Sequence, residues 1–452
     1  MNKEPSSYKD PDGFIFTQGC KMYRQINYSG KEDYELLMSS GLYNELVKER
    51  LLISHKEAMI QRSQDCYKII QPEKVQFISY PYEWCFSQLK KAALATLRIQ
   101  KIALRHSMSL KDSSAFNIQF VNCKPLLIDT LSLQKYIEGK PWIAYKQFCE
   151  HFLAPLALMS YRDVRLSKLL KEYLDGIPLD LASRLLPARS KFSMNIMIHI
   201  HLHAKSQKYF GNKTIRAKQG LSRKALLGII VSLEDAVNAM KWKPTGEWNK
   251  YYDCINYSQK SIDDKDKILE KWIDRLKPKV VWDIGANTGK FSRIASKKAQ
   301  LTISIDKDYA AVEQNYLETL KMNDKILPLV IDITNPSTNL GWNNNERKSL
   351  NERGPADAII ALAIVHHLTI SNNIPLPNVA KYFNEIGKNL IVEYAPKTDL
   401  NVKKLVAAKE AVHHEYSEEE FEKCFKKYFR IIEKTKIIDS ERIMYLMKRI
   451  SK

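Results

Sequence analysis

Short apolar runs alternate with amphipathic stretches in the C-terminal half of the chain. Most of the runs are continuous, whereas Leu301–Ile305 contains Thr302 and Ser304, and turn-forming or polar residues bound each of them. Such runs are typical of strands buried on both faces, as in a parallel sheet covered by helices. We therefore predict an α/β domain over 247–452, with helices on both faces of the sheet. The runs are Val280–Trp282, Leu301–Ile305, Leu327–Ile331, Ala356–Leu362 and Asn389–Glu393.

The N-terminal half has a mixed pattern. Gly13–Gly30 predicts two short strands, and Asp33–Ile53 carries apolar residues at helical spacing. Val75–Tyr80 resembles a further strand, and Trp84–Leu104 predicts a long amphipathic helix. These elements together predict an α+β domain over 1–190.

A polar and basic stretch, Lys205–Arg223, separates the two halves and contains glycine turns that are typical of a domain boundary. Just before it, His199, His201 and His203 alternate with apolar residues. Because the surrounding sequence is helical, and residues two apart do not share a helix face, we predict no metal site there. The stretch 191–246 is expected to be a helical, basic linker region.

Composition places the chain among ordinary globular proteins. Of its 452 residues, 44% are hydrophobic and 27% are charged, and the length suits two or three domains. Seven cysteines are scattered without a C-x-x-C pair, no apolar stretch has the length of a membrane span, and the N-terminus lacks the apolar core of a signal peptide. We therefore expect a cytoplasmic protein without disulfides and without a membrane partner.

The charge balance is strongly basic, with 71 Lys and Arg residues against 51 Asp and Glu residues, a net charge of +20. Such a charge attracts anionic partners. Clusters such as Lys205–Lys224 and Lys426–Arg430 could contact the phosphates of RNA, but solvated helix faces explain them better. Because no RNA- or DNA-recognition motif accompanies the charge, an anionic partner such as RNA stays open but is not favoured.

The turn that follows the first C-terminal run holds Asp283, Gly285, Asn287 and Gly289. Glycines allow the backbone to turn sharply and a ligand to approach closely. A dinucleotide fingerprint would place a glycine where Asn287 stands, and the Asp283 carboxylate would repel a pyrophosphate. That carboxylate suits a cationic ligand with an amino group and a sulfonium, and S-adenosylmethionine is such a ligand.

A second carboxylate supports this interpretation. Asp306 ends the run Leu301–Ile305 and lies seventeen residues after Gly289. In doubly wound sheets, an acid at the end of the second strand accepts hydrogen bonds from ribose hydroxyls. The alternative is a structural glycine turn with a capping acid.

In these residues and the runs that follow them, the chain resembles the class I S-adenosylmethionine-dependent methyltransferases. The resemblance implies a Rossmann-like sheet, with Ala286 among the turn residues at the cofactor and Asp332 at the adenine. The segment Ala363–Leu368, which reads AIVHHL, is similar to the hydrophobic-His-His-Leu turn of these enzymes. It implies that Ala363 also lies at the cofactor.

His366 and His367 are the candidate catalytic residues. Either imidazole could remove a proton from a hydroxyl or amine acceptor, since imidazole titrates near neutral pH. Alternatively, both cap the turn while their apolar neighbours pack. Weaker candidates near the acceptor or the cofactor are Glu393, Tyr394, His413, His414, Tyr416, Trp248, Tyr251 and Tyr252.

A different chemistry is suggested in the N-terminal half, where Asp112, Asn117 and Asp129 have the spacing of a phosphotransferase base and two Mg²⁺ ligands. This layout resembles the protein-kinase-like fold. However, no His-Arg precedes Asp112, no Phe-Gly follows Asp129, and Arg24 stands nearest to the expected strand lysine. We expect a degenerate, vestigial site, and the alternative is that these residues only shape a hairpin.

Over its whole length the chain is similar to the NoeA-type nodulation proteins, and the segments Tyr80–Leu94 and Pro141–Met159 carry this resemblance. It implies a methyltransferase with a long N-terminal extension and an unidentified methyl acceptor, whether small molecule, protein or RNA. Two alternatives stay open. The chain could be a kinase-like phosphotransferase, or a non-catalytic assembly or RNA-binding protein that keeps the cofactor as a structural ligand.

Overall fold

The computed structural model describes residues 2–60, 64–205, 220–244, 258–407 and 416–450. The chain divides into two compact units. The first comprises Met1–Lys243 together with Asn339–Arg347, and the second comprises Pro244–Thr338 and Lys348–Lys452. Within the stretch that we expected to be a separate linker, the described residues 191–205 and 220–243 belong to the first unit.

The first unit contains a five-stranded antiparallel sheet in the order β1-β2-β3-β5-β4. Its strands are β1 (Asn2–Lys3), β2 (Gly13–Gln18), β3 (Lys21–Asn27), β4 (His55–Glu57) and β5 (Cys66–Pro72). The strand that we expected at Val75–Tyr80 is absent. There, the buried backbone N–H of Ser79 donates to Oε1 of Gln119 at 2.9 Å, so a side chain takes the place of a neighbouring strand.

Two small antiparallel sheets and a set of helices complete the first unit. β6 (Met108–Leu110) pairs with β9 (Leu133–Lys135), and the hairpin of β7 (Ile118–Val121) and β8 (Lys124–Leu127) lies between them in the chain. The α-helices are Lys31–Ser39, Leu42–Lys48, Phe86–Arg105, Tyr145–Phe148, Ala154–Tyr161, Leu169–Glu172, Leu179–Leu185, Met194–Ile196 and Arg223–Ala239, and π-helical turns span Cys149–Leu153 and Met197–Leu202. None of the helices in the described ranges has both the length and the apolar content needed to cross a membrane.

The second unit is built on a seven-stranded sheet in the order β12-β11-β10-β13-β14-β16-β15. The first five strands in this order are parallel, and β16 is antiparallel to both of its neighbours. The strands are β10 (Val280–Ile284), β11 (Leu301–Asp306), β12 (Ile326–Val330), β13 (Ala358–Ala361), β14 (Asn389–Tyr394), β15 (Phe429–Lys436) and β16 (Ile443–Arg449). The helices are Gln259–Leu276, Lys290–Ser296, Tyr309–Met322, Leu376–Ile386, Leu400–Ala407 and Glu418–Lys426, with a π-helical turn at His367–Ser371.

Burial explains why the central strands are so apolar. Every residue of β12 and β13 is buried, and Val281, Ile360 and Ile391 pack in one core with Trp272 of the helix Gln259–Leu276. The chain runs from β10 outward to β11 and β12, and then returns to place β13 on the other side of β10. Such a reversal of strand order opens a crevice at the carboxyl ends of the strands, where ligands bind in α/β sheets.

Candidate cofactor site

A cavity of about 350 Å³ lies at the carboxyl ends of the parallel strands. Its lining comes from the ends of β10, β11 and β12, the glycine turn, the turn after β13, and the helix Gln259–Leu276. Of the eight residues predicted to contact a cofactor, six line this cavity. They are Asp283, Gly285, Asn287, Asp306, Asp332 and Ala363.

The two other predicted residues, Ala286 and Gly289, shape the turn behind the cavity. The backbone N–H groups of Gly285 and Ala286 donate to the carbonyl of Ile305 at 2.9 and 3.0 Å, which fastens the turn to β11. Gly289 has a φ of +82°, and a Cβ there would lie 2.2 Å from Oδ1 of Asn315. This position therefore requires glycine for both its backbone conformation and the space around it.

Asp283 brings a buried carboxylate to the cavity. Asp283 is 2% exposed, and its carboxylate accepts a hydrogen bond from Oγ of Ser292 at 2.6 Å. Burial raises its pKa to about 7, and the negative charge of Asp306 adds to that increase, while Ser292 and Lys265 oppose it. A carboxylate with a raised pKa in a cavity is suited to a ligand that brings its own positive charge.

Asp306 joins the end of β11 to the glycine turn. Its Oδ2 accepts the backbone N–H of Asn287 at 2.7 Å, and its Oδ1 accepts that of Asp308 at 2.9 Å. Burial raises the pKa of this carboxyl too.

Asp332 follows β12 and accepts from the backbone N–H and the hydroxyl of Thr334 at 2.9 and 2.7 Å. Three carboxylates thus follow or end three neighbouring parallel strands around one cavity.

The two candidate catalytic histidines occupy different positions. His367 lines the cavity, and burial lowers its pKa to about 4. His366 is fully buried, and burial lowers its pKa to about 3. The two rings lie 4.5 Å apart, and within the described ranges neither ring nitrogen of His366 has a hydrogen-bond partner. His367 is therefore the member of the pair that can meet a ligand in the cavity.

A further cation in the cavity wall was not among the residues predicted from the sequence. Lys265 is 4% exposed, and its Nζ lies 2.5 Å from Oε2 of Glu393. The guanidinium of Arg442 donates to the other oxygen of Glu393 at 3.0 Å and to both oxygens of Asp399. A sequence signal existed, because Lys265 falls on the apolar face of its helix, four residues from Leu269 and seven from Trp272.

The polar residues predicted as a phosphotransferase site in the N-terminal half contact other polar groups of the first unit. Oδ1 of Asp112 accepts from the backbone N–H of Ser114 at 2.9 Å and from Gln147 at 2.7 Å. Asn117 donates to the hydroxyl of Ser132 at 3.3 Å. These contacts are the turn-shaping bonds of the alternative interpretation.

Asp129 has a charged partner as well as a turn bond. Its Oδ1 accepts the backbone N–H of Leu131 at 2.9 Å and lies 2.6 Å from Nη1 of Arg24, whose Nη2 donates to Asp10 at 2.8 Å. Arg24 is 8% exposed, so this guanidinium neutralises two carboxylates in a largely buried place. In the part of the chain that the structure describes, no group of three or more His, Cys, Asp or Glu residues is arranged to hold a metal ion.

The remaining weaker candidates are either structural or outside the described residues. The rings of Tyr394 and Tyr416 stack at 5.3 Å, and the hydroxyl of Tyr416 donates to the carbonyl of Ala395 at 3.0 Å. The ring nitrogens of His199 and His201 are bonded to neighbouring hydroxyl groups. The predictions for Trp248, Tyr251, Tyr252, His413 and His414 lie outside the described residues.

Comparison with known proteins gives the family. No protein-family model matches the chain. Nodulation protein NoeA of Rhizobium meliloti (strain 1021) is 31% identical over 456 residues, which cover 98% of this chain and 95% of that protein. The chain belongs to the NoeA family.

Among solved structures, this NoeA relative is similar to two methyltransferases at low identity. The N-methyltransferase NodS from Bradyrhizobium japonicum WM9 is 13% identical and covers 41% of this chain and 97% of its own, with a TM-score of 0.31. Magnesium protoporphyrin IX methyltransferase (ChlM) from Synechocystis PCC 6803 is 15% identical and covers 45% of this chain and 92% of its own, with a TM-score of 0.31.

Proposed function

We propose that this chain is an S-adenosylmethionine-dependent methyltransferase and that the cavity of the second unit holds the cofactor. The observation that carries the proposal is the set of three carboxylates, Asp283, Asp306 and Asp332, around one cavity beside a glycine turn. A volume of about 350 Å³ lies within the range of small-molecule sites in proteins. The negative charge of the three carboxylates disfavours a pyrophosphate beside the glycine turn and favours a ligand with cationic and hydroxyl groups.

The carboxylates of the cavity match the polar groups of this cofactor one to one. The Asp283 carboxylate would hold the ammonium of the amino-acid end, Asp306 the ribose hydroxyls, and Asp332 the amino group of the adenine. Gly285 would let the ligand pass close to the backbone, because a Cβ would otherwise stand in the turn. When bound, the cofactor supplies an electrophilic methyl group on a sulfonium.

The chain itself must position the acceptor, exclude water and accept a proton where the acceptor is a hydroxyl or an amine. We assign the last role to His367, because it is the histidine of the pair that lines the cavity and its imidazole is neutral there before an acceptor binds. His366 packs behind it and holds its ring. The acceptor is unidentified, and small molecules, proteins and RNA are all tested in the experiment below.

The alternatives are less well supported. A phosphotransferase in the first unit would need Asp129 for Mg²⁺, but an Arg24 guanidinium lies 2.6 Å from that carboxylate. A protein that keeps the cofactor only as a structural ligand would bind it without transferring methyl groups.

A cytoplasmic location is part of the proposal, since none of the six cysteines in the described ranges forms a disulfide.

The test combines binding with turnover. We expect calorimetry on the full chain to show binding of S-adenosylmethionine. Gly285→Val should abolish this binding, because Gly285 lines the cavity with a φ of +75°, where a branched side chain is strained and would take the ligand's space. Gly228→Val is the matched control, because nothing lies within 4 Å of that position. Radiolabelled methyl transfer to cell extract, fractionated into RNA, protein and small molecules, then identifies the acceptor. A wild-type chain that binds no cofactor would overturn the proposal.

A further inference from the structure

We propose that Lys265 holds the carboxylate of the ligand's amino-acid end, and that Glu393 and Arg442 keep its ammonium in place for this task. The inference rests on the proposed function, since it assigns one end of the same ligand. It makes Lys265 a specificity-determining residue, because the cavity would select ligands whose amino-acid group is intact.

Lys265 lies in the wall of the cavity that also holds Asp283, the residue assigned to the ammonium of the ligand. It lies on the helix Gln259–Leu276, and its Nζ is 4.8 Å from the ring centroid of Phe291, just after the glycine turn. Both residues line the cavity, as does Asp283. The Lys265 ammonium also interacts electrostatically with the Asp283 carboxylate. The cavity thus presents one cation and one carboxylate near each other, which is the complement of the carboxylate and ammonium of an α-amino acid.

The surrounding ion pairs fix the position of this ammonium. Glu393 is fully buried and accepts from Lys265 on one oxygen and from Arg442 on the other. Arg442 is 1% exposed and is held in turn by both oxygens of Asp399, at 2.8 and 3.0 Å. Buried charges are tolerated only when they are paired, so these four groups stabilise one another in a single geometry. A lysine ammonium has three donors, which lets it serve Glu393 and a ligand oxygen together.

The other two lysines of the cavity are weaker candidates. The Lys290 side chain is 31% exposed and its Nζ pairs with Asp266 at 3.0 Å, so water competes for it. Lys307 is exposed and follows Asp306, at the end of the cavity that we assign to the ribose. Lys265 alone of the three combines burial, a fixed position and proximity to Asp283.

The experiment compares two ligands that differ in one group. Decarboxylated S-adenosylmethionine lacks the carboxylate and keeps the ammonium, the sulfonium and the nucleoside. We expect the wild-type full chain to bind S-adenosylmethionine more tightly than this analogue, by roughly tenfold to hundredfold for a charge-assisted contact. In Lys265→Met this preference should disappear because only the intact cofactor loses a partner. Lys290→Met is the matched control and should keep the preference.

Each result has a defined meaning. Unchanged preference in Lys265→Met, or a preference lost in Lys290→Met instead, would overturn the inference and leave the proposed function standing. A wild-type chain that binds neither ligand would instead refute the proposed function. Because Lys265→Met leaves the Glu393 carboxylate buried with one partner fewer, a second variant, Lys265→Met with Glu393→Gln, is measured in parallel. It should show the same loss of preference.

Discussion

The buried carboxylate of Asp283 should make the stability of the ligand-free protein depend on pH. The perturbation is Asp283→Asn, which keeps the shape of the side chain and an oxygen that can accept from Ser292. In the folded wild type, burial raises the pKa of Asp283 from 3.8 to about 7. The asparagine has no such titration, so the two proteins should respond differently to pH.

The sign and size follow from the shift in pKa. A group whose pKa is higher in the folded state binds its proton more tightly there, so its stabilisation is present at low pH and is lost as the pH rises through the folded pKa. A shift from 3.8 to about 7 corresponds to about 4 kcal/mol of unfolding free energy as an upper limit. Most of this loss should occur between about pH 4 and pH 7.

The assay is urea unfolding of wild type and Asp283→Asn without ligand, in steps from about pH 5 to about pH 8. The advantage of the variant should grow with pH. Asp357→Asn is the control. Burial alone would raise the pKa of Asp357, but the hydrogen bond from Nζ of Lys388 and those from the N–H groups of Val280 and Lys279 lower it. Loss of the Asp357 carboxylate should lower the unfolding free energy by the same amount at every pH in this series. Parallel curves for wild type and Asp283→Asn would refute the reasoning.

Three other predictions concern the same unit. Asp306→Ala should weaken cofactor binding by about 1–3 kcal/mol through lost hydrogen bonds, and unchanged calorimetric affinity would contradict its role. Gly289→Ala should lower the unfolding free energy by about 1–3 kcal/mol, since a Cβ there would lie 2.2 Å from Oδ1 of Asn315. Gly228→Ala is the control and should not destabilise the fold, because Gly228 lies within a helix and a Cβ there would have no atom within 4 Å. His367→Ala should lower methyl transfer while leaving cofactor affinity nearly unchanged, and equal turnover would remove His367 from the mechanism.

The apolar strands of the sheet in the second unit could be predicted from the sequence, and the polar edge strand could not. The five runs expected from the sequence correspond to the parallel strands β10 to β14, because strands covered on both faces leave a continuous apolar signal. The hairpin of β15 and β16 was not predicted. In β15 only Phe429 is buried and charged residues interrupt the strand, so its pairing with β16 decides its conformation.

The site was predictable where a backbone turn or a strand end carries the chemistry. Asp283 and Asp306 follow apolar runs directly, so their meeting at one sheet edge follows from parallel pairing. Lys265 was not found in this way, since a lysine on a helix is usually solvated, and its place on the apolar face of that helix does not name its partner. The partner is Glu393, which the structure shows in contact with the Lys265 ammonium. That contact joins positions 128 residues apart, which no local pattern reveals.

The same limit applies to the domain boundary. A boundary drawn along the sequence assigns all of 247–452 to one domain, whereas Asn339–Arg347 belongs to the first unit. Within that unit, Glu346 accepts from the hydroxyl of Tyr8 at 2.5 Å and from Nζ of Lys9 at 3.0 Å. Burial alone would raise the pKa of Glu346, but the bonds from Tyr8, the backbone of Trp342 and Lys9 lower it to about 2. A fragment cut at residue 247 would therefore keep the Glu346 carboxylate and lose two of the three donors that stabilise it.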